Sequence, residues 1–333
     1  MCTAMNLTNI HHYFGRNLDI EKSYNERIII TPRRFNLNLK SGTQIETQYA
    51  IIGIGCLRND YPLYFDACNE KGLCIAGLRY TKAFYSEPDC DKTNIATFEL
   101  IPYILGTCKN TYEAIDAIKS MCICNTAFDE SLKPAPLHWF ISDKNKSVTL
   151  ECEKGGIRIY DNVLGVLTNM PDFKSHIYNL SNYRNLTSEA CNNAFLPSVD
   201  LKEYSYGTGA FGLPGDMSSM SRFVRAAYFK FNTQSIGREV SDDITRFFHI
   251  LSGVSQFYGC TTTESNKKEF TLYSSCCDTE TLTYYYTTYT NARISAIKLK
   301  AEDCNAESLK IIPLKFLQDI DEVDINSPIA NYR

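Results

Sequence analysis

The 333-residue chain reads as an α+β protein. Three observations carry that reading. Short runs rich in β-branched residues come in series, separated by turn chemistry. Helical patterns interrupt them only twice, each time as a pair. Strand and helix nowhere alternate singly, as a parallel βαβ sheet requires, so the helices are expected on the faces of antiparallel sheets.

The elements follow in order. After a strand that carries the N-terminus, residues 27–31 and 48–56 are apolar and β-branched, as buried strands are, with a turn at Lys40-Ser41-Gly42 between them. Asn69 to Gly72 is turn chemistry and 73–78 a short strand. A helical region is expected over 93–108, interrupted at Pro102. Asn110 with Glu113 spells a capping box, and Ala114, Ile115 and Ile118 give the next helix an apolar face. Strands return at 137–142, at 148–152 in clean alternation, and at 163–168. Residues 175–206, polar and rich in Asn, Ser and Tyr, yield no element. A helix over 221–231 precedes one capped by Ser241, whose Asp242 and Asp243 suit the positive end of a helix dipole. Ile244, Phe247, Phe248 and Leu251 form its apolar stripe. Strands at 257–263, 270–276, 282–290 and 294–300 complete the pattern.

Composition bounds the function. Apolar content of 44% and charged content of 22% are those of a soluble globular protein large enough for a sizeable core. A net charge of −4, with no basic run interleaved with aromatics, excludes a nucleic-acid partner. No apolar stretch approaches the ~18 residues of a membrane span, and the N-terminus lacks an apolar signal region. A cytoplasmic location is therefore expected, with the fourteen cysteines as reduced thiols, thirteen of them structural. Neither Cys122-x-Cys124 nor Cys276-Cys277 has the spacing of a zinc site.

Common catalytic spellings are missing. There is no Gly-x-Ser-x-Gly, no His-Glu-x-x-His and no Walker loop. Gly207-x-Gly209-x-x-Gly212 has the dinucleotide-binding spelling, but Pro214-Gly215 stands where a phosphate-binding helix should open, so it is a loop. Of the five histidines, His138 lies in a strand-like run beside Trp139 and His249 on an amphipathic helix; both read as structural.

The first nineteen residues are different. Cys2 follows the initiator methionine and is small enough for Met1 to be removed. That leaves a thiol and an α-amine on one residue, nucleophile and base together. Taken alone, Cys2 is an ordinary cysteine near a terminus. The run Phe14-Gly15-Arg16-Asn17-Leu18-Asp19 changes that. Arg16 brings a permanent cation, which favours a neighbouring thiolate, and Asp19 can accept hydrogen bonds from an ammonium.

Met-Cys-Thr followed by Gly-Arg-Asn-x-Asp resembles the opening of the choloylglycine hydrolase family, which holds bile salt hydrolases and penicillin V acylases. Later segments fit too, so the resemblance covers nearly the whole chain. It implies one N-terminal-nucleophile hydrolase domain over 1–333, mature from Cys2, built as a four-layer αββα sandwich. It implies hydrolysis of the amide of a small amphipathic N-acyl conjugate, foremost a glycine- or taurine-conjugated bile acid. No cofactor, metal or membrane is expected, and a homotetramer is. Cys2, Arg16 and Asp19 would be joined by Asn169, from Val166-Leu-Thr-Asn169-Met-Pro171, as a side-chain oxyanion donor. Arg222 would be the second site arginine, with Arg225 the alternative. Arg79 departs from the family, where bile salt hydrolases carry Asn and penicillin V acylases Tyr; its backbone N–H would still serve the oxyanion, and its side chain the substrate. Leu18, Tyr24, Phe65, Phe128 and Leu132 are the expected substrate-pocket residues. A penicillin V acylase-type amidase and a non-catalytic ligand-binding relative are the alternatives.

Overall fold

The computed structural model describes residues 1–322, so the last residues of the domain expected over 1–333 lie outside it. Two antiparallel sheets form its centre. The first runs, in spatial order, from Val166–Leu167 through β1 (Cys2–Thr8) and β2 (His12–Ile20) to Lys268–Asp278, Thr283–Thr288 and Asn291–Lys298. The second has eight strands, from Gly156–Asp161 at one edge through Ser147–Glu153, Leu137–Ser142, Cys74–Arg79, Tyr61–Asn69 and Ile51–Arg58 to Arg27–Thr31 and Lys310–Pro313.

Side-chain alternation separates the layers. Ile28, Ile30, Ile52, Ile54, Cys74, Ala76, Leu78 and Phe140 of the second sheet share a core with Ala4, Phe14 and Tyr273 of the first. Their neighbours Ile29, Ile51, Ile75, Trp139 and Ile141 point the other way, into a second core with helices α1 (Leu100–Thr107) and α2 (Thr111–Ser120). Two apolar faces explain why these strands read as continuous hydrophobic runs. After α3 (Phe173–Asn179), helices α4 (Ser219–Asn232) and α5 (Val240–Ser252) cover the far face of the first sheet with Phe223, Ala226, Ile244 and Phe247. The order is α4/α5, sheet, sheet, α1/α2: four layers, with Phe14 stacked on Phe140 at 5.3 Å across the middle.

Several expected elements shift, each for a local reason. Thr93–Ala96 is a strand paired in parallel with Met121–Cys124, and α1 starts only at Leu100. Pro102 then sits in the first turn, where its missing N–H costs nothing, so it does not interrupt the helix. Ser241 does not cap α5; Glu239 does, and its backbone N–H donates to the Asp242 carboxylate at 2.9 Å. Asn110 does cap α2, accepting the Glu113 N–H at 2.9 Å, while the Glu113 carboxylate accepts from Lys109 N. The strand expected over 163–168 shrinks to Val166–Leu167, because Asn162 and Gly165 close a turn that leaves Val163 exposed. Only Thr261–Thr262 pairs within 257–263, after a turn through Gly259. The cysteines are not all thiols: the hairpin of Tyr61–Asn69 and Cys74–Arg79 opposes Cys68 to Cys74, with Cα atoms 4.0 Å apart, and they form a disulfide.

Among the described residues no helix is long and apolar enough to cross a membrane. At Gly15 the neighbouring strand comes so close that a Cβ would overlap the carbonyl of Ser275. Gly15→Ala is therefore expected to lower the unfolding free energy by about 1–3 kcal/mol in urea denaturation. Gly215→Ala, with no atom within 4 Å of the added carbon, serves as the unchanged control.

Candidate active site

The β1–β2 hairpin sorts the N-terminal residues by face. Cys2 lies opposite Leu18 and Ala4 opposite Arg16, so these four share one face; Thr3 lies opposite Asn17 on the other. The first face looks into the space between the sheets. Arg16, wholly buried, crosses that space, and its Nη1 donates to the carbonyls of Phe65 (3.0 Å) and Gly77 (2.6 Å). Those carbonyls are free because the pairing of their two strands ends at Asp66 and Ala76. Burial lowers the basicity of Arg16, but Cys2, Tyr273, Asp66 and Asp19 outweigh it and hold the group above its ordinary value. Asp66 is itself buried and accepts from Tyr273 (2.5 Å), Ser275 (2.9 Å) and Tyr284.

The other face meets α4. Arg222, fully buried, donates through Nη1 to the Cys2 carbonyl (2.5 Å) and Thr3 Oγ1 (2.7 Å), and through Nη2 to Asn169 Oδ1 (2.9 Å). Its Nη1 is 3.9 Å from Asp19 Oδ2. Ser218, accepting from the Ser221 N–H, starts α4 in the position that aims Arg222 inward. Arg225 turns instead to the carbonyls of Pro214 and Asp216. Asp19 accepts from Thr271 Oγ1 at 2.6 Å. Burial pushes its carboxyl up, against the opposing pull of Arg222, the N-terminal amine, Thr271 and Arg16. Two buried polar atoms here have no hydrogen-bond partner, Arg16 Nη2 and Asp19 Oδ2.

Asn169 joins the two strand systems. It follows Val166–Leu167 at the edge of β1, and its Oδ1 accepts the Cys2 backbone N–H at 2.6 Å. Its Nδ2 donates to the Arg79 carbonyl at 2.9 Å. Ser219 Oγ and His176 Nε2 hold its own N–H and carbonyl, at 2.8 and 2.9 Å. The Cys2 thiol is buried, and its nearest hydrogen-bond acceptor is the Asp19 carbonyl at 4.0 Å. Met1 continues the chain beyond it: its amine donates to the Asp19 carbonyl at 2.9 Å and pairs with Glu269.

Arg79 reaches this cluster through its backbone. Leu137, its cross-strand neighbour, donates its N–H to Tyr85 Oη, and Tyr80 N–H goes to Pro136 O. The Arg79 N–H and C=O therefore turn away from that strand, toward the gap where Arg16 inserts. Its side chain is exposed, with Tyr24 within reach of its charge. Tyr24 and Phe65 approach with ring centroids 6.2 Å apart, and Leu18 is buried beside Cys2. Phe128 belongs to a separate aromatic cluster with Tyr61 and Phe98, and its N–H donates to the carbonyl of half-buried Leu132. His138, between Glu151 and the Thr168 carbonyl, is a satisfied structural group, whereas His249 is exposed on α5. Thr3, Asp66, Ser219, Glu269 and Thr271 carry no sequence signal; each is a lone polar residue that folding brings in.

A family model described as linear amide C–N hydrolases, choloylglycine hydrolase family, matches residues 2–312. The chain belongs to the choloylglycine hydrolase family. A bile salt hydrolase/transferase of Lactiplantibacillus plantarum is 46% identical over 95% of this chain and 97% of its own. One from Clostridium perfringens is 37% identical over 93% and 96%. The crystal structure of a mutant conjugated bile acid hydrolase from Clostridium perfringens superposes with a TM-score of 0.89 at 35% identity, covering 97% of this chain and 100% of that one. Penicillin V acylase from Agrobacterium tumefaciens shares the fold, with a TM-score of 0.76 at 18% identity over 95% and 92%. The fold is that of the N-terminal-nucleophile hydrolases, and the family makes this protein an amidohydrolase of linear C–N bonds.

Arg222 is the buried countercharge of Asp19 and the tie between Cys2 and Asn169. Arg222→Gln should lower stability by about 3–5 kcal/mol at pH 7, the scale for breaking a buried ion pair. Without Arg222 the Asp19 carboxyl rises further above its unfolded value of about 3.9. A carboxyl raised by folding destabilises progressively as pH climbs past the unfolded value. The deficit should therefore shrink toward pH 4, which urea denaturation at the two pH values checks.

Proposed function

We propose that this amidohydrolase deconjugates bile acids, cleaving the amide of their glycine or taurine conjugates with Cys2 as nucleophile. The observation that carries the reading is Cys2 itself. Its nitrogen, the α-amine once Met1 is removed, is held 2.6 Å from Asn169 Oδ1, on the same residue as the thiol. The bile salt hydrolases among its relatives, 46% and 37% identical over nearly full length, support the substrate class.

In the reaction the α-amine takes the thiol proton and the sulfur attacks the amide carbonyl. The oxyanion forms between the Arg79 backbone N–H and the second hydrogen of Asn169 Nδ2, each donor contributing about 3 kcal/mol. Collapse breaks the C–N bond, and the ammonium protonates the departing glycine or taurine nitrogen. Water then attacks the thioester, giving its proton back to the amine, and the carboxylic acid and the thiol are released. Arg16 and Asp19 fix the charges around the thiol and amine, and Arg222 fixes Asn169. Leu18, Tyr24 and Phe65 supply apolar surface for the steroid, and the Arg79 guanidinium can face its anionic tail. Penicillin V acylase activity rests on a shared fold alone.

Assembly as a homotetramer belongs to the same reading. The exposed side chains of Phe195, Leu201, Tyr204, Tyr206 and Phe211 support it, since apolar surface of this kind marks interfaces. Cytoplasmic residence belongs to it too; the Cys68–Cys74 bond weighs against that part.

Protein whose mass shows Met1 removed should hydrolyse glycocholate. Protein that retains Met1 should not, because its Cys2 nitrogen is an amide. Full turnover with Met1 in place would refute the mechanism. Cys2 should also be the first free cysteine alkylated by iodoacetamide at neutral pH, in step with loss of activity. Arg16→Gln, which removes the buried cation, should slow that alkylation several-fold; inactivation that follows another cysteine would move the nucleophile elsewhere.

A further inference from the structure

Glu269 has no part in the mechanism above, yet its carboxylate is buried beside the chain terminus. It lies near the start of the strand Lys268–Asp278, two residues before Thr271, whose hydroxyl binds Asp19. Residues two apart share a face of a strand, so Glu269, Thr271 and Asp19 lie together on the side away from the second sheet. Only 5% of Glu269 is exposed, and among the described residues its one ion-pair partner is the Met1 amine. The neighbouring Lys268 turns its ammonium to Thr262 Oγ1, and the facing strand Thr261–Thr262 brings hydroxyls only.

Removal of Met1 takes that partner away and moves the amine one residue inward, a step of about 3.3–3.6 Å. The acid stays where it was. We infer that Glu269 is a positioning residue, the second carboxylate of the processed terminus: with Asp19 it holds the Cys2 α-amine and sets how readily that amine keeps its proton. The other charges facing the Met1 amine, one residue out from the Cys2 nitrogen, are the Cys2 thiol, Arg16 and Asp19 of β2, and Arg222 of α4. Two cations and one carboxylate would leave the amine in a net positive surrounding; Glu269 restores the balance. An opposite charge at this range favours the protonated amine, so Glu269 keeps the base strong enough to take a thiol proton.

This inference rests on the amine of Cys2 being the base, so its test reads the amine directly. In a Cys2→Ala chain with Met1 removed, the α-amine remains and no thiol competes for reagent. The pH midpoint of α-amine acylation, followed on the N-terminal peptide by mass spectrometry, reports the amine's protonation. Adding Glu269→Gln should lower that midpoint by about one pH unit, a ~tenfold change in the free amine at a given pH. Glu269→Asp withdraws the charge by one methylene and should give a smaller shift in the same direction. It also serves if the Gln variant does not fold. A midpoint unchanged in the folded variants overturns the role of Glu269. Absent glycocholate turnover by the processed wild-type enzyme, with the midpoint still moved, would refute the bile acid reading and leave Glu269 standing.

Discussion

A cation inside the sandwich is the constraint on which the rest depends. Arg16 stands, wholly buried, between two sheets that share an apolar core, and an unpaired charge there would cost several kcal/mol. The fold meets that cost with backbone. The strands Tyr61–Asn69 and Cys74–Arg79 stop pairing at Asp66 and Ala76, and the carbonyls thus released, Phe65 and Gly77, close on the guanidinium. Asp66, wrapped by three hydroxyls of the first sheet, supplies a countercharge. Residue 15 must be glycine for the same geometry, since the strand carrying Ser275 lies against it.

Alternation along one hairpin then divides the labour. Cys2, Arg16 and Leu18 look between the sheets; Thr3, Asn17 and Asp19 look toward α4 and α5. Asn17 donates to the Leu251 carbonyl at the end of α5, and Arg222 reaches Thr3 from α4. A slip of one residue would exchange the faces, placing Asp19 in the apolar core and the thiol under the helices. Register is thus fixed on both sides by charges that fit only one way.

Much of this was legible in the sequence where signals are local. Helix α2 follows from its cap and apolar period and α5 from its apolar period, and Arg27–Thr31 and Leu137–Ser142 from β-branched or aromatic runs. Thr93–Ala96 was not, because four residues of mixed propensity become a strand only by pairing with Met121–Cys124. Gly156–Asp161 was missed for the same reason: its side chains are half exposed and its partner strand defines it. The cluster around Cys2 was legible where a recognisable run carries it. Asp66 and Glu269 were invisible, being single acids whose partners lie 207 and more residues away in the chain. The Cys68–Cys74 bond escaped because composition argued for thiols, while the hairpin alone decided their distance.

That bond has a mechanical meaning. The hairpin of Tyr61–Asn69 and Cys74–Arg79 is a fork, riveted covalently beside its turn and held apart by the guanidinium at its tines. Its two strands are thus joined twice, by a covalent bond at the turn and by one guanidinium nitrogen bridging Phe65 and Gly77, and the Arg79 end is tied in turn to Leu137 and Asn169. The peptide group that faces Asn169 therefore belongs to a clamped frame rather than to a loose strand end.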